Sequence, residues 1–223
     1  MVNAKIIPFR EQNPEAIVFD LGGVLLKLDV RKTIDAFISL GFENVEEKMA
    51  RILTKKPETD DAGLFRLYET GQITSEQFRE GIRMHTGKDI SDEKIDRAWT
   101  SMLLEIPENN ISLIEKLSES YRIYLLSNTN DIHIEHMLAH SGSLRGFGSL
   151  VNHFDKLYYS HMVKMRKPDA EIYRHVIEDA GINPQKSLFI DDSPANIEGA
   201  TAAGFLTYHH PANSSLEPYF NPA

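Results

Sequence analysis

Apolar runs of strand length recur along the chain and alternate with segments of helical period. The runs are 16–19, 123–126, 187–190 and, more weakly, 205–208. The helical segments between them are 110–120, 169–180 and 194–203. Strands that alternate with helices in this way predict an α/β fold, with a Rossmann-like, doubly wound parallel sheet covered on both faces.

Residues 31–104 follow a different pattern, charged and helix-periodic, with no run that resembles a buried strand. The predicted helices are 31–40, 45–54, 64–70, 75–86 and 91–104. Because the segment is too long for a simple connection, we predict a helical cap inserted into a core made of residues 1–30 and 105–223. Aromatic residues of the cap suit packing within it, namely Phe65, Tyr68, Phe78 and Trp99.

Each of the three stronger apolar runs ends in a polar cluster. Asp20-Leu-Gly-Gly follows the first run, Ser127-Asn-Thr-Asn ends the second, and Asp191-Asp192-Ser193 ends the third. The carboxyl ends of parallel strands open onto one crevice, so we expect these side chains to lie together. Asp20 is the candidate nucleophile, and the carboxylates of Asp191 and Asp192 are oxygen ligands of the kind that Mg²⁺ prefers.

Two further features complete the predicted site. Ser127 and Asn128 offer a hydroxyl and backbone N–H groups to phosphate oxygens, especially if a helix begins after them. Lys167, directly before Pro168, offers a positive charge to the same place. Each feature alone also fits an ordinary turn or helix start, so the prediction depends on finding all of them in one chain.

Composition narrows the function classes. The chain has 223 residues and a formal charge of −9, which disfavours nucleic acid as a partner but allows a small phosphorylated ligand. The absence of cysteine excludes disulfides, thiolate zinc sites and a cysteine nucleophile. With no apolar stretch of membrane-spanning length and no evident signal peptide, we expect a cytoplasmic protein with no membrane partner. No feature of the sequence indicates a particular oligomeric state.

In their order, these segments resemble the four motifs of the haloacid dehalogenase-like hydrolases, in the class with a helical cap. The matching segments are Ile-Val-Phe-Asp-Leu-Gly-Gly-Val-Leu at 17–25, Tyr-Leu-Leu-Ser-Asn at 124–128, Arg-Lys-Pro at 166–168 and Phe-Ile-Asp-Asp-Ser-Pro-Ala-Asn-Ile-Glu-Gly-Ala at 189–200. The resemblance implies that Asp20 attacks phosphorus and forms an aspartyl-phosphate, which water then hydrolyses. It also implies that Ser127 and Asn128 bind the phosphoryl oxygens while Lys167 neutralises their charge.

The same resemblance implies a Mg²⁺ site. The ligands would be Asp20, the backbone carbonyl of Gly22 and Asp192, with Asp191 as a neighbouring orienting or ligating group. Asn196 would support this group from behind.

Gly22 departs from the usual motif, because most phosphatases of this family carry Asp at that position as the general acid and then base. Glycine keeps the backbone carbonyl, so metal binding should survive, while proton transfer should lose on the order of 10²–10⁴ in rate.

A branch with Phe-Asp-Leu-Gly-x-Val in its first motif hydrolyses α-D-glucose 1-phosphate, whose anomeric leaving group needs less help from an acid. We therefore expect a Mg²⁺-dependent phosphatase of small phosphorylated metabolites, such as glucose 1-phosphate. Asp29 and His161 are candidate substitute acids, although each fits a surface or turn position better.

Two alternative functions remain. Gly22 leaves open a catalytically weak regulatory domain that binds a phosphometabolite, and the acidic pair disfavours a metal-independent haloacid dehalogenase. The helical spacing of His133, His136 and His140 could suggest a metal site, but a solvated helix face is the preferred interpretation. Substrate choice would depend on cap residues that reach the crevice, with candidates Phe37, Phe65, Tyr68 and Trp99.

Overall fold

The computed structural model describes residue 9 and residues 13–44, 60–139, 142, 144 and 146–220. Its strands are β1 (Ala16–Phe19), β2 (Lys27–Leu28), β3 (Leu103–Glu105), β4 (Arg122–Ser127), β5 (Lys156–Tyr159), β6 (Ser187–Asp191) and β7 (Leu206–His209). Five of them form a parallel sheet in the order β5-β4-β1-β6-β7. The predicted Rossmann-like α/β fold is confirmed.

Helices connect the strands and cover both faces of the sheet. They are α1 (Val30–Leu40), α2 (Asp60–Glu69), α3 (Ser75–Thr86), α4 (Asp92–Thr100), α5 (Glu108–Ser118), α6 (Asp131–Ala139), α7 (Phe147–Val151), α8 (Ser160–Val163), α9 (Ala170–Ala180), α10 (Pro194–Ala202) and α11 (Glu217–Phe220), with a 3₁₀ turn at Pro184–Lys186. The turn chemistry follows the sequence. Thr74 and Gln77, for example, form a reciprocal capping box at the start of α3.

Alternate residues of each central strand face opposite layers. Ile17 and Phe19 of β1 belong to a cluster with the apolar side chains of α5, α7 and α11, whereas Val18 belongs to a cluster with α9 and α10. Every residue of β1 and β6 is buried, as expected for the inner strands of a parallel sheet. The burial of both faces explains why these strands appear in the sequence as unbroken apolar runs.

Helices α1 to α4 pack around a separate aromatic cluster. The rings of Tyr68 and Phe78 stack with centroids 4.5 Å apart, and Phe65 lies 5.3 Å from Trp99. β2 and β3 form an antiparallel pair where the chain leaves the sheet layer for these helices and where it returns. The cap boundaries at 31 and 104 stay a prediction, and the β2–β3 ribbon lies beside both of them.

Some expected elements differ in the structure. The sequence pattern missed β5, β2 and β3, and it placed β7 one residue early. The predicted helix over 91–104 ends at Thr100 because the following residues enter β3, and the predicted helix over 45–54 lies outside the described residues. In the part of the chain that is described, no helix is both long enough and apolar enough to cross a membrane.

Candidate active site

The predicted site residues meet at the carboxyl edge of the sheet. In the parallel register, Phe19 of β1 pairs with Leu125 of β4 and Ile190 of β6, so the residues that follow each of them open at one edge. A cavity of about 340 Å³ lies there. Its walls include seven of the predicted residues, namely Asp20, Gly22, Ser127, Asn128, Lys167, Asp192 and Asn196. Asp191 lies behind this wall and is fully buried.

Lys167 joins two of the carboxylates. Its Nζ lies 2.8 Å from Oδ1 of Asp20 and 2.7 Å from Oδ2 of Asp191, with only 1% of the residue exposed. Burial alone would lower the pKa of Lys167, but the charges of Asp191 and Asp20 outweigh it and raise that pKa. The ammonium is therefore charged at neutral pH, and one cation serves two neighbouring anions.

Asp20 is oriented before any ligand binds. Its Oδ1 accepts hydrogen bonds from the backbone N–H of Leu21 (2.7 Å) and from Lys167, which hold the carboxylate at the mouth of the strand. Burial raises the pKa of Asp20 well above its usual value, the nearby carboxylates of Asp191 and Asp192 add to the rise, and Lys167 opposes it. A cation beside this group would favour its ionised, nucleophilic form.

Three carboxylates form a group that fits a divalent cation. One oxygen each of Asp20, Asp191 and Asp192 lie within 4.8 Å of one another. Burial and the charge of Asp191 raise the pKa of Asp192 to about 6. A cation bound here would counter this rise and stabilise the ionised carboxylate. Gly23 has φ of +75°, and a Cβ there would come within 2.6 Å of Cγ of Asp192, so only glycine leaves room for this carboxylate. An all-oxygen donor set of this kind suits Mg²⁺.

Two asparagines fix the charged groups in place. Nδ2 of Asn196 donates to both carboxylate oxygens of Asp191, at 2.9 and 3.1 Å. The side chain of Asn128 accepts from the backbone N–H of Lys167 and donates to its carbonyl, both at 2.9 Å. The Asn128 side chain thus positions Lys167 by holding the Lys167 backbone, and the neighbouring Ser127 lines the cavity.

The position of the missing acid is filled from the β2–β3 ribbon. A Cβ at Gly22 would lie 2.6 Å from Cδ1 of Leu28, and both residues line the cavity. Gly22 does not have the positive φ of Gly23, so a larger residue there would meet the end of the Leu28 side chain rather than backbone strain, and Leu28 would have to move.

The cap contributes the opposite wall of the cavity. Of the four aromatic candidates, only Trp99 lines the described cavity, whereas Phe37, Phe65 and Tyr68 pack inside the cap. The other lining residues from this part of the chain are Leu28, Val30, Glu69, Met102 and Leu103. Glu69 was not anticipated, because a carboxylate near a helix end is typical of a solvated position.

The histidine predictions need correction. His133 does not lie on a solvated helix face, because the cap covers it. Its ring stacks on Trp99 with centroids 4.8 Å apart, and its Nε2 lies 3.1 Å from the Trp99 carbonyl. Burial lowers the pKa of His133 to about 4, so the ring is neutral. His136 is half-buried, and His140 lies outside the described residues.

The two proposed substitute acids lie elsewhere. Asp29 accepts a hydrogen bond from the backbone N–H of Arg31 and caps α1, which agrees with its predicted turn position. His161 is buried rather than at the surface, because it belongs to α8 under the cap, and its Nε2 lies 3.2 Å from Oδ1 of Asp131. Neither residue lines the cavity.

Comparison with known proteins identifies the relatives of this fold. A D-ribitol-5-phosphate phosphatase from Bacteroides thetaiotaomicron is 32% identical over 192 residues, which cover 86% of this chain and 89% of that protein. A phosphorylated carbohydrates phosphatase from Thermotoga maritima is 27% identical over 198 residues, covering 85% and 82% of the two chains. These relatives confirm the predicted enzyme class, a phosphoric monoester hydrolase.

A solved structure matches the whole architecture. It is a HAD family enzyme from Bacteroides thetaiotaomicron in complex with magnesium and inorganic phosphate, with a TM-score of 0.78 and 39% identity over 93% of this chain and 99% of that one. The model of the haloacid dehalogenase-like hydrolases matches residues 14–204, which include the cavity residues from Asp20 to Asn196. The chain therefore belongs to the haloacid dehalogenase-like hydrolases.

Proposed function

We propose that this protein is a Mg²⁺-dependent phosphatase of small phosphorylated sugars or polyols, acting through an aspartyl-phosphate on Asp20. The observation that carries the proposal is the buried Lys167 ammonium between Asp20 and Asp191, beside a third carboxylate and at the wall of a cavity. Phosphoryl transfer mainly requires positioning and neutralisation of charge, and this arrangement supplies both.

In the first step a carboxylate oxygen of Asp20 attacks phosphorus, and the bond between phosphorus and the ester oxygen breaks. Lys167 holds Asp20 in place and neutralises negative charge on the phosphoryl oxygens. The hydroxyl of Ser127 and the Asn128 region bind the same oxygens. The products are an acyl phosphate on Asp20 and the alcohol, whose oxygen takes a proton from solvent water because Gly22 has no acidic side chain to supply one.

In the second step water attacks the aspartyl-phosphate, releases inorganic phosphate and restores the Asp20 carboxylate. Asp20, Asp192 and the carbonyl of Gly22 would hold Mg²⁺, with Asp191 beside them. When bound, the ion supplies positive charge that stabilises the ionised carboxylates and the phosphoryl group. Asn196 keeps Asp191 oriented in both steps through its two hydrogen bonds.

The substrate class is proposed from the relatives and from Gly22. The two curated relatives act on a polyol phosphate and on phosphorylated carbohydrates, which supports a polyhydroxylated phosphate ester. The glycine at position 22 favours esters with good leaving groups, and α-D-glucose 1-phosphate is the specific candidate. These two lines of support differ, since ribitol 5-phosphate has an ordinary alkyl alcohol as its leaving group.

The second candidate is a phosphometabolite-binding domain with weak catalysis. The observation that favours it is the Leu28 side chain, which fills the space beside Gly22 where an acid would stand. Against a metal-independent dehalogenase stands the cluster of three carboxylates, whose arrangement fits a divalent cation.

One panel separates these functions. Release of phosphate from glucose 1-phosphate, ribitol 5-phosphate and p-nitrophenyl phosphate is measured with Mg²⁺ and with chelator, for wild type and Asp20→Asn. Turnover that requires Mg²⁺ and disappears in the variant supports the phosphatase. Tight binding of phosphate esters without turnover would select the regulatory domain. A 2-haloacid is added as a fourth substrate, and halide release from it in the presence of chelator would select the dehalogenase.

A further inference from the structure

Glu69 is the ionisable side chain that α2 brings to the cavity. It is the last residue of that helix and lines the same cavity as Asp20 and Lys167, with 15% of its side chain exposed. The mechanism proposed above does not use it. It reaches the cavity from the cap, through its ion pair with Arg166 beside Lys167, where the alcohol part of a substrate would lie next to the phosphate.

The carboxylate of Glu69 has hydrogen-bonding capacity to spare. Its Oε2 forms an ion pair with Nη2 of Arg166 at 3.1 Å, but among the described residues this buried oxygen has no hydrogen-bond partner of proper geometry. Because Oε2 is itself buried, a ligand in the cavity would meet the exposed side of the carboxyl group, which can accept a hydrogen bond. Burial raises the pKa of Glu69 and Arg166 opposes the rise, and an oxygen of the group can accept a hydrogen bond in either form.

The backbone around Glu69 is held firmly against the core. Oγ of Ser160 donates to the Glu69 carbonyl at 2.6 Å. Two residues later Gly71 has φ of +61°, and a Cβ there would overlap the carbonyl of His161. The hydroxyl of Tyr68 accepts from the backbone N–H of Ile132 at 3.1 Å. The carboxylate is thus presented to the cavity from a fixed position.

The rest of the described cap wall offers little to a hydroxylated ligand. Its other side chains are apolar or aromatic, namely Leu28, Val30, Trp99, Met102 and Leu103. His133 has Nε2 occupied by the Trp99 carbonyl, and the Asn213 side chain is bonded to both backbone groups of Leu28. Glu69, with Arg166 beside it, is therefore the charged part of a largely apolar wall.

We propose that Glu69 is a specificity-determining residue that accepts hydrogen bonds from hydroxyl groups of the substrate's alcohol part. The inference rests on the proposed phosphatase function and deepens it. It explains how a cavity whose cap wall is largely apolar would select polyhydroxylated phosphate esters over alkyl or aryl ones, since the carboxyl group of Glu69 would meet no hydrogen-bond donor on an alkyl chain.

The test uses three substrates that separate the roles of Glu69. D-Ribitol 5-phosphate has hydroxyls and a poor leaving group, n-pentyl phosphate has a similar chain without them, and p-nitrophenyl phosphate needs neither hydroxyl contacts nor an acid. The variants are Glu69→Leu, which removes the acceptor, and Glu69→Gln, which keeps one and preserves the neighbour of Arg166. Glu76→Leu, on the exposed surface of α3 and away from the cavity, is the matched control.

We expect Glu69→Leu to lower kcat/KM for ribitol 5-phosphate by about 10- to 100-fold, mainly through KM, as for loss of a hydrogen bond to a charged group. The values for the other two substrates should change less than about threefold, so that the preference for the polyol ester collapses. Glu69→Gln should fall between Leu and wild type, because its amide oxygen still accepts. Glu76→Leu should leave all three substrates unchanged.

Two patterns would overturn this inference. If both Glu69 variants slow ribitol and pentyl phosphates equally and leave p-nitrophenyl phosphate unchanged, Glu69 is a general acid rather than a hydroxyl acceptor. If Glu69→Gln slows all three equally, its role is structural. Failure of the proposed function looks different: wild type would then hydrolyse none of the three, or Asp20→Asn would not change the rate.

Discussion

The two walls of the cavity are built in opposite ways. The core wall carries charged groups at strand ends, and these groups form close ion pairs with one another, as Lys167 does with Asp20 and Asp191. The cap wall consists mainly of apolar side chains from helices and from the β2–β3 ribbon, with Glu69 as its carboxylate. In the proposed function this difference separates two tasks: the core wall carries the groups for chemistry on phosphorus, and the cap wall chooses the alcohol.

The largest effect is expected at the core wall. Asp20→Asn removes the proposed nucleophile, and we expect phosphatase activity to fall by about 10³-fold or more for every substrate, whatever its leaving group. Steady-state rates with ribitol 5-phosphate and p-nitrophenyl phosphate measure the loss. A loss confined to one substrate would mean that the division between the walls is wrong.

A second core-wall prediction concerns folding. Lys167→Met leaves the Asp20 and Asp191 carboxylates buried without their common cation, and breaking such a buried pair costs about 3–5 kcal/mol. Urea unfolding with chelator should show this loss, and added Mg²⁺ should stabilise the variant more than it stabilises wild type. Lys186→Met, which removes the exposed partner of Glu15, should change little. Absence of any stabilisation by Mg²⁺ in either protein would contradict a metal site at these carboxylates.

At the junction of the two walls, His133 makes stability depend on pH. Its pKa is about 4 in the folded protein, against about 6.5 for an exposed histidine. The unfolded chain therefore takes up a proton first as the pH falls, and folding should lose up to about 3 kcal/mol between pH 6.5 and 4. His133→Gln should flatten that part of the profile, while the difference between the two proteins at pH 8 measures lost packing alone. An unchanged slope would show that the ring is not held neutral.

The smallest expected effect sharpens the boundary between the walls. Gly22→Asp alone should raise kcat for pentyl phosphate only slightly, because Leu28 fills the space beside position 22. Gly22→Asp combined with Leu28→Ala should raise this kcat by about tenfold. Neither change should accelerate p-nitrophenyl phosphate, whose leaving group needs no proton. Leu28→Ala alone is the control. If the single and double variants behave alike, Leu28 does not restrict this position.

The two walls also differ in how far the sequence predicts them. Asp20, Ser127 and Asp191 follow apolar runs, and parallel register then requires that they meet, so the core wall can be derived from pattern and topology. β5 escaped prediction because it is an edge strand that begins with the exposed Lys156, and its short Lys-Leu-Tyr-Tyr segment has no apolar run.

The cap wall could not be read from periodicity. Leu-Tyr-Glu-Thr-Gly at 67–71 contains no local signal that Glu69 turns into a cavity, because that depends on packing of the following turn against His161. His133 was misplaced for the same reason, since its helix face is covered by Trp99, which is distant in sequence. Contacts of this kind exist only once the cap helices lie on the sheet layer.

The β2–β3 ribbon has a consequence for how such proteins diversify. Because Leu28 pairs with Leu103, the two points where the chain crosses between layers are neighbours, although 75 positions separate them. The whole block of helices between these two points can then be exchanged at the β2–β3 ribbon without altering the order of strands in the sheet. Replacement of this one block of helices, in evolution or by engineering, could therefore change the substrate while the reaction stays the same.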